Sequence, residues 1–266
     1  MYDLHCHMLP GIDDGATDLD TAIAMARIAE QDGITHLACT PHIYPGLYEN
    51  NGEGIKKAMQ AFQLILDDNG IKLKLSYAAD AHMVPELLDG LRTGRIPTIN
   101  GSKYFLLEPS HHVAVPRFVD TVFNITASGF TPLITHPERL SWVGEHYDEF
   151  YECVKNGAWI QLTSGSVSGR FGEEAQFWSQ KMLEDGIVHV LATDAHNLKQ
   201  RAPYLKEGEE AAAQWVGEEE ARLMVYDRPK GIWENMPVEQ QTKALLFRPE
   251  DMIKKKKRGF FSGLFG

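Results

Sequence analysis

The first residues of this chain that could do chemistry are two histidines, His5 and His7, separated by a single residue. If the segment around them is a β-strand, alternate side chains share a face, so both imidazoles point to one side and Cys6 points to the other. Two imidazoles on one face can bind a single metal ion. The pair therefore suggests a metal site, provided that other parts of the chain supply further ligands.

Further candidate ligands stand at the carboxyl ends of short apolar runs. Six such runs end in Asp, Glu or His, whereas a seventh, AWIQLTSGS, ends in hydroxyl residues. With 37 acidic residues and 11 histidines among 266, composition alone would give this outcome with a probability on the order of 10⁻⁴ or less. The runs and their final ligands are DLHCH with His5 and His7, LACTPH with His42, KLSYAAD with Asp80, YFLLE with Glu108, PLITH with His136, and VLATDAH with Asp194 and His196.

A repeated order of helix, glycine and apolar run predicts the elements that position these residues. Glycine just past a helix supplies the left-handed residue that closes the last turn. Nearly continuous apolar runs are typical of parallel strands buried on both faces, and their alternation with helices indicates βαβ units. The glycines concerned are Gly33, Gly70, Gly129, Gly157 and Gly186. The predicted helices include Leu19–Gln31, Ile55–Asp68 and Phe150–Lys155.

The positions of the candidate ligands favour one architecture over another. An open doubly wound sheet places its ligands mainly at one switch point, whereas a closed ring brings every strand's carboxyl end to one face. We therefore predict an α/β fold, specifically a distorted, TIM-like βα barrel of about seven strands. We expect this barrel domain, with helices from about Arg201 onward, to occupy residues 1–250, and a basic and aromatic tail to occupy residues 251–266.

Composition excludes several classes of protein. The net charge of −11 argues against nucleic acid as the main partner. Three cysteines in an acidic chain of this length suggest a reducing compartment and not a disulfide framework. The first predicted strand leaves no room for a signal peptide, and no apolar run approaches the length needed to span a membrane. We expect a cytoplasmic protein.

The candidate ligand set mixes imidazole and carboxylate without thiolate, which suits manganese, iron or zinc at a catalytic site. One ion needs three or four protein ligands, so nine ligands imply two or three divalent ions that share carboxylates. The loop GIDDG adds Asp14, although Asp13 could take its place or Asp14 could cap the next helix; Asp80 could equally begin a helix. The nine are His5, His7, Asp14, His42, Asp80, Glu108, His136, Asp194 and His196.

Clustered divalent ions activate water and stabilise both the attacking and the leaving oxygen of a phosphoryl transfer, so we predict hydrolysis of a phosphate ester. Arg139 and Arg201 each follow a candidate ligand closely and could bind phosphate oxygens in a bidentate manner. Either arginine could instead form a surface ion pair. His111 and His112 follow Glu108 closely enough to line the same pocket.

The motifs HCH, TPH, LLE, THPER and TDAH, in this order, resemble the polymerase and histidinol phosphatase (PHP) superfamily. The segments YDLHCHMLPGIDDG and HVLATDAHN are similar to its bacterial protein-tyrosine phosphatase branch, and the resemblance covers about residues 1–225. It implies a distorted seven-stranded barrel with three metal ions, often manganese. It also implies metal binding by the nine residues, and phosphate binding by Arg139 and Arg201. Asp80 stands where the branch usually has glutamate, and Ile43-Tyr44 follow His42 where relatives often have basic residues or further histidines.

The resulting hypothesis is a metal-dependent protein-tyrosine phosphatase in which an activated hydroxide attacks phosphotyrosine and tyrosinate leaves. The resemblance implies a membrane tyrosine autokinase of capsule or exopolysaccharide export as the substrate. A small-molecule phosphatase of the histidinol-phosphate type and a non-catalytic metal-binding regulator of the kinase are the alternatives. We expect no cysteine nucleophile, because Cys6 points away from the histidines and no C-x5-R loop is present.

The end of the chain differs from everything before it. Five consecutive cations precede a segment rich in phenylalanine, which could bind an anionic membrane peripherally at its inner face. The alternative is a disordered basic tail without a function. The residues that would make the contact are Lys254, Lys255, Lys256, Lys257, Arg258, Phe260 and Phe261.

Overall fold

The structure, a computed structural model, describes residues 1–241 and has a mixed α/β architecture in which parallel strands alternate with helices. The predicted boundary at residue 250 and the predicted membrane-binding residues 254–261 lie outside the described residues. In chain order, the strands within residues 1–241 are β1 (Tyr2–Cys6), β2 (His36–Cys39), β3 (His42–Ile43), β4 (Lys74–Tyr77), β5 (Asp80–His82), β6 (Tyr104–Glu108), β7 (Thr131–Thr135), β8 (Trp159–Thr163) and β9 (Val190–Ala192).

The strands form two parallel sheets, with orders β1-β2-β4 and β3-β5-β6-β7-β8-β9. The predicted closed barrel of about seven strands is therefore not found as one continuous sheet in residues 1–241. The apolar runs LACTPH and KLSYAAD are each divided into two strands, β2 and β3 in the first and β4 and β5 in the second. Pro41 lies at the first break and has no N–H to donate to a neighbouring strand, which interrupts the ladder.

The two sheets meet at two places. At the first, the chain itself passes from β2 to β3 and from β4 to β5, and these neighbouring segments are paired by backbone hydrogen bonds: Ala78 N donates to Cys39 O at 2.9 Å and Asp80 N donates to Pro41 O at 3.2 Å. At the second, between β9 and β1, Asp194 N donates to His5 O at 2.8 Å and His7 N donates to Ala195 O at 2.9 Å. These bonds hold the carboxyl ends of β1, β3, β5 and β9 close together.

The helices within residues 1–241 largely follow the predicted pattern. The prediction of Leu19–Gln31 is confirmed, and the side chain of Asp18 caps this helix by accepting from Thr21 N at 2.8 Å. The other two predicted helices begin three residues earlier than expected. No helix in this part of the chain is both long enough and apolar enough to cross a membrane. The α-helices are α1 (Leu19–Gln31), α2 (Gly52–Asp68), α3 (Leu87–Thr93), α4 (Phe118–Ala127), α5 (Tyr147–Lys155), α6 (Ser164–Val167), α7 (Glu173–Glu184), α8 (Lys206–Val216), α9 (Glu218–Val225) and α10 (Asp227–Trp233).

Local backbone geometry explains where these elements begin and end. The five glycines predicted to close helices have φ values between 69° and 93°, a region that glycine enters without steric cost. Helix α2 begins early because the Asn51 side chain accepts a hydrogen bond from Gly54 N at 3.0 Å, an N-cap that hydrophobic periodicity does not reveal. Both predicted patterns, the glycine closure and the alternation with apolar strands, are therefore confirmed.

Both faces of the strands are buried, as the apolar runs predicted. One face packs against the helices in a large core. The other face contributes to a smaller cluster that contains residues from both sheets, and Ile232 of α10 joins this cluster. Helix α10 thus closes the amino-terminal end of the strands, opposite to the end where the candidate ligands lie. The smaller cluster consists of Leu4, Ala38, Ala78, Ile99, Tyr104, Leu106, Leu133, Trp159, Val190 and Ile232.

His189 lies beside this smaller cluster and is 5% exposed. Its Nδ1 accepts a hydrogen bond from Ile160 N at 3.1 Å, and its ring stacks on Trp159 with a centroid distance of 4.8 Å. Burial, together with the charge of Arg228, lowers the pKa of His189 to about 3. The folded protein therefore keeps this imidazole neutral at pH values where the unfolded chain protonates it.

Replacing His189 should reduce the acid sensitivity of folding. In the wild type, the stabilisation by neutral His189 is complete above pH 6.5 and is lost as the pH falls toward about 3. His189→Asn keeps an acceptor for Ile160 N but does not titrate. Between pH 7.5 and pH 5, the wild type should lose about 2 kcal/mol more free energy of unfolding than the variant, measured by urea denaturation in chelator. Equal losses in the two proteins would contradict the assignment.

Candidate metal centre

The structure brings all nine predicted ligands together at the carboxyl ends of the strands. Eight of them fall into overlapping groups in which the potential ligand atoms lie within 4.8 Å of one another. The ninth, Asp194, places Oδ1 at 3.4 Å from His5 Nε2 and at 3.6 Å from His7 Nε2. The groups are His7, Asp14, His42 and His196; His5, His7 and Asp80; His42, Asp80 and Glu108; and Glu108, His111 and His136.

The strand ends fix the positions of these side chains. His5 lies within β1 and Asp80 begins β5, whereas Glu108 is the last residue of β6. His136 and Asp194 follow β7 and β9 with φ values of 36° and 49°, a left-handed backbone that is uncommon outside glycine. Such conformations store strain and concentrate at functional sites, because surrounding contacts must hold them in place.

Hydrogen bonds orient three of the imidazoles so that Nε2 faces the centre. Nδ1 of His5 donates to Gln161 Oε1 at 2.8 Å, and Nδ1 of His7 donates to Asp13 Oδ2 at 2.7 Å. Nδ1 of His196 donates to the carbonyl oxygen of Asp194 at 2.9 Å. With the Nδ1 proton assigned to these partners, each Nε2 keeps a free lone pair, which is how metal-binding histidines are commonly oriented.

The two carboxylates of the GIDDG loop, Asp13 and Asp14, have different roles. Asp14 Oδ1 lies 3.4 Å from the Nε2 atoms of both His42 and His196, whereas Asp13 supports His7 and accepts from His42 N at 3.1 Å. The loop packs closely on β1, since a Cβ at Gly15 would lie 2.0 Å from the His7 carbonyl oxygen. Asp14 therefore joins the ligand group, and its alternative role as a helix cap is wrong because Asp18 caps α1.

Buried polar atoms without partners indicate that the centre fits a cation. Within residues 1–241, both carboxylate oxygens of Asp80 lack a hydrogen-bond partner although the residue is fully buried, and so do His136 Nδ1 and His196 Nε2. Leaving such groups unpaired costs free energy that a bound cation would offset. Asp80 lies in β5 and not at the start of a helix, so that alternative is also wrong.

The charges of the centre attract positive charge. Burial alone would lower the pKa of His5, but the nearby carboxylates of Asp80 and Asp194 raise it to about 9. Burial is similarly outweighed at His42, where hydrogen bonding to Glu108 and the charge of Asp80 raise the pKa to about 10. The same carboxylates would attract divalent cations, because a bound cation supplies the positive charge that a proton on His5 or His42 otherwise supplies.

Arg139 and Arg201 converge on the same carboxylate. Both guanidinium groups donate to Asp194 Oδ2, Arg201 Nη2 at 2.7 Å. Burial tends to raise the pKa of Asp194, but the charges of Arg201 and His5 hold it well below its usual range. The arginines are therefore not surface ion pairs, since their partner is buried inside the centre. Among the described residues, Arg201 Nε is a buried donor without a hydrogen-bond partner.

Arg139 and Arg201 line two cavities. The smaller, of about 330 Å³, is also lined by five of the nine candidate ligands and by aromatic residues at its rim, including Tyr44 and Tyr48. The larger, of about 720 Å³, is also lined by Arg170 and other residues. A substrate bound at the arginines thus has space in two cavities.

Several supporting residues were not predicted from the sequence. Gln161 orients His5 from β8, the one strand whose apolar run did not end in a ligand. The sequence did contain a signal for Gln161, because an amide side chain inside a buried apolar run needs a hydrogen-bond partner. Phe171 lies beneath Arg139, with the guanidinium carbon 5.2 Å from the ring centroid. Arg170 stacks on the same ring at 5.4 Å and donates to the carbonyl of Gln200.

The fold and the centre define an α/β protein with parallel strands that gathers imidazole and carboxylate groups at the strand ends. The sequence profile of the family described as "Capsular polysaccharide synthesis, CpsB/CapC" matches residues 1–234. The chain belongs to this family. The resemblance to a bacterial tyrosine phosphatase branch, predicted from the motifs, is confirmed by this match and by the relatives that the chain resembles.

The relatives are similar over nearly their whole length. The tyrosine-protein phosphatase YwqE of Bacillus subtilis is 33% identical over 264 residues, which cover 98% of this chain and 100% of YwqE. The tyrosine-protein phosphatase CpsB of Streptococcus pneumoniae is 29% identical and covers 87% of this chain and 98% of CpsB. A crystal structure from work on these two proteins, described as metal-dependent tyrosine phosphatases, superposes with a TM-score of 0.87 at 28% identity, covering 93% of this chain and 100% of that chain.

Phe171→Leu should weaken anion binding at Arg139, because it removes the aromatic face that holds the guanidinium. A cation–π contact of this kind contributes about 0.5–1 kcal/mol, so the affinity of the metal-loaded protein for inorganic phosphate should fall about two- to fivefold. Isothermal titration calorimetry measures this change. Phe177→Leu is the matched control, since Phe177 is 58% exposed on α7. An affinity that is unchanged in Phe171→Leu, or equally reduced in the control, would contradict the role.

Proposed function

We propose that this protein is a metal-dependent protein-tyrosine phosphatase, a phosphoric monoester hydrolase acting on phosphotyrosine in proteins. The observation that carries the proposal is the meeting of nine imidazole and carboxylate side chains, drawn from the length of the chain, in one cluster beside two arginines that line the adjoining cavity. The family match and the names of the relatives support the same activity.

We propose that the nine residues hold two or three divalent ions, with manganese as the first candidate and iron or zinc as alternatives. Asp80 belongs to two of the ligand groups and has both oxygens free of hydrogen bonds within the described residues, so it would help to hold the ions. When bound, such ions supply an activated water and stabilise the negative charge of a phosphoryl group. His5, His7 and His196 would bind through Nε2, as their hydrogen bonds orient them.

We propose that Arg139 and Arg201 bind the phosphate oxygens. Their guanidinium groups already meet at Asp194, and planar guanidinium groups pair well with phosphate. The aromatic rim of the cavity, with Tyr44 37% exposed and Tyr48 beside His42, suits the phenyl ring of phosphotyrosine better than a small polar phosphate ester. Tyrosinate is a good leaving group because the phenol has a pKa near 10, so little general-acid assistance is needed.

We also infer that the two sheets together form one interrupted seven-stranded ring. Two observations support this inference: backbone hydrogen bonds are present at both places where the sheets meet, and side chains from both sheets share the smaller core. In this arrangement β2 with β3, and β4 with β5, each count as a single strand. The ring would explain why ligands from so many strands reach one cavity.

We propose that the physiological substrate is a phosphotyrosine protein of a capsule or exopolysaccharide system, and that a membrane tyrosine autokinase is the main candidate. The description of the family as capsular polysaccharide synthesis supports this choice. A phosphatase that acts on such a kinase would work on the cytoplasmic side, at the inner face of the membrane. The division into a domain at 1–250 and a tail at 251–266 remains a prediction.

Metal removal and a comparison of substrates test the proposed activity. Protein stripped by chelator should not hydrolyse a phosphotyrosyl peptide, and added manganese should restore turnover. The kcat/KM for the peptide should exceed that for histidinol phosphate by at least about tenfold, because the aromatic rim contributes binding energy only to the former. Preference for histidinol phosphate would contradict the proposal. Metal-loaded protein that hydrolyses neither substrate would favour a non-catalytic regulator.

Cys6→Ser is the control for a cysteine mechanism. Cys6 is fully buried with its Sγ 3.8 Å from the carbonyl oxygen of Ala195, and burial raises the pKa of its thiol well above the usual value. A buried neutral thiol is a poor nucleophile. The variant should therefore keep its turnover within about threefold of the wild type. A collapse of turnover with unchanged circular dichroism would show that the metal mechanism is wrong.

A further inference from the structure

His111 lies within the centre although the family resemblance gives it no role. Its Nε2 is 3.4 Å from Glu108 Oε1, and its ring centroid is 4.9 Å from that of His136. The potential ligand atoms of Glu108, His111 and His136 all lie within 4.8 Å of one another. Two imidazoles and one carboxylate at this spacing form a ligand set that binds divalent transition metals.

The backbone of His111 is held in place by the segment that follows His136. Its carbonyl oxygen accepts hydrogen bonds from Ser141 N at 3.0 Å and from Ser141 Oγ at 3.1 Å. The preceding carbonyl, of Ser110, accepts from Trp142 Nε1 at 2.8 Å, and Trp142 is buried. The loop after β6 is therefore attached to the same segment that carries His136 and Arg139. His111 is positioned by the fold and is not an incidental surface histidine.

The two oxygens of Glu108 face different partners. Oε1 faces His111, whereas Oε2 lies 3.4 Å from His42 Nδ1 and 3.5 Å from His82 Nδ1. On the other side of the group, His136 is 2% exposed and its Nδ1 has no hydrogen-bond partner in the described part of the chain. Glu108 therefore offers one oxygen on the side of His111 and the other on the side of His42.

We propose that His111 is a tenth metal ligand, which together with Glu108 and His136 gives one divalent cation two imidazoles and a carboxylate. The proposal rests on the proposed function only in that both require cations at this centre. His111 and His136 both line the 330 Å³ cavity, so a cation held by them and Glu108 would be accessible to water or to an anion.

The neighbouring residue provides a matched control. His112 is exposed, and its ring centroid is 6.3 Å from that of His111. It lines the cavity but belongs to none of the groups of potential ligand atoms found in residues 1–241. Substitution of either histidine removes an imidazole from the same loop. A difference in metal binding between the two variants therefore shows that the position of the imidazole matters, and not only its loss.

Cobalt titration of the full chain tests the assignment. Wild type, His111→Ala, His111→Gln and His112→Ala are stripped with chelator and titrated with Co²⁺, while bound cobalt and visible absorption are measured. Both His111 variants should bind one class of cobalt at least about tenfold more weakly, and their saturated spectra should change because a nitrogen ligand is lost. His112→Ala should match the wild type. Thermal unfolding of the metal-free proteins checks that the variants are folded.

Two results would overturn the assignment. Identical titrations and spectra in all folded variants would show that His111 does not bind metal. Weaker cobalt binding with an unchanged saturated spectrum would show that His111 only positions Glu108 through a hydrogen bond.

Turnover of a phosphotyrosyl peptide by the same preparations separates this proposal from the proposed function. Wild type that binds cobalt and shows the His111 effect without turnover would refute the activity alone, whereas wild type that binds no cobalt would refute both.

Discussion

The concentration of buried carboxylate and imidazole groups at one end of the strands is the constraint on which the rest of the structure depends. Asp80, Glu108 and Asp194 are all buried. Asp80 and Asp194 lie within a few ångströms of His5, and Glu108 lies within a few ångströms of His42. Both arginines at this site donate to Asp194. The remaining carboxylates need another source of positive charge, because a buried charge is costly unless it is paired. Metal cations would meet this need and would supply catalytic chemistry.

The fold provides this arrangement through its parallel strands and through supporting hydrogen bonds. Parallel strands direct their carboxyl ends to one edge, so residues far apart in sequence reach one cavity. Gln161 and Asp13 fix the orientation of the first two histidines, and the carbonyl of Asp194 fixes that of His196. Precise orientation of this kind matters because metal affinity depends on the groups that hold the ligands as well as on the ligands themselves.

The sequence predicted most of what depends on local pattern. The predicted bounds of helix α1 are confirmed because its hydrophobic periodicity ends before Gly33, whereas its cap at Asp18 was not predicted. Eight of the nine candidate ligands were predictable because they stand at the ends of apolar runs, and the end of a strand is a local property; Asp14 lies in a loop instead. The family was predictable because its motifs are short and retain their order.

What the sequence did not predict depends on contacts between distant segments. The division of the strands into two sheets depends on the interruption of the backbone hydrogen-bond ladder at Pro41. The hydrophobic periodicity of the sequence does not reveal such an interruption. The choice between Asp13 and Asp14 depends on where His42 and His196 lie relative to the loop. The stacking of Arg139 on Phe171 joins residues on separate elements. Residue type suggested what each side chain could do, and tertiary packing decided which of them does it.

Anomalous X-ray diffraction from crystals of the manganese-loaded protein, collected above the manganese absorption edge, tests the central claim most directly. The account predicts two or three strong anomalous peaks inside the centre, each within bonding distance of several of the nine residues. Peaks located elsewhere, or no peak among His5, His7, Asp80 and Glu108 in protein soaked with manganese, would contradict it.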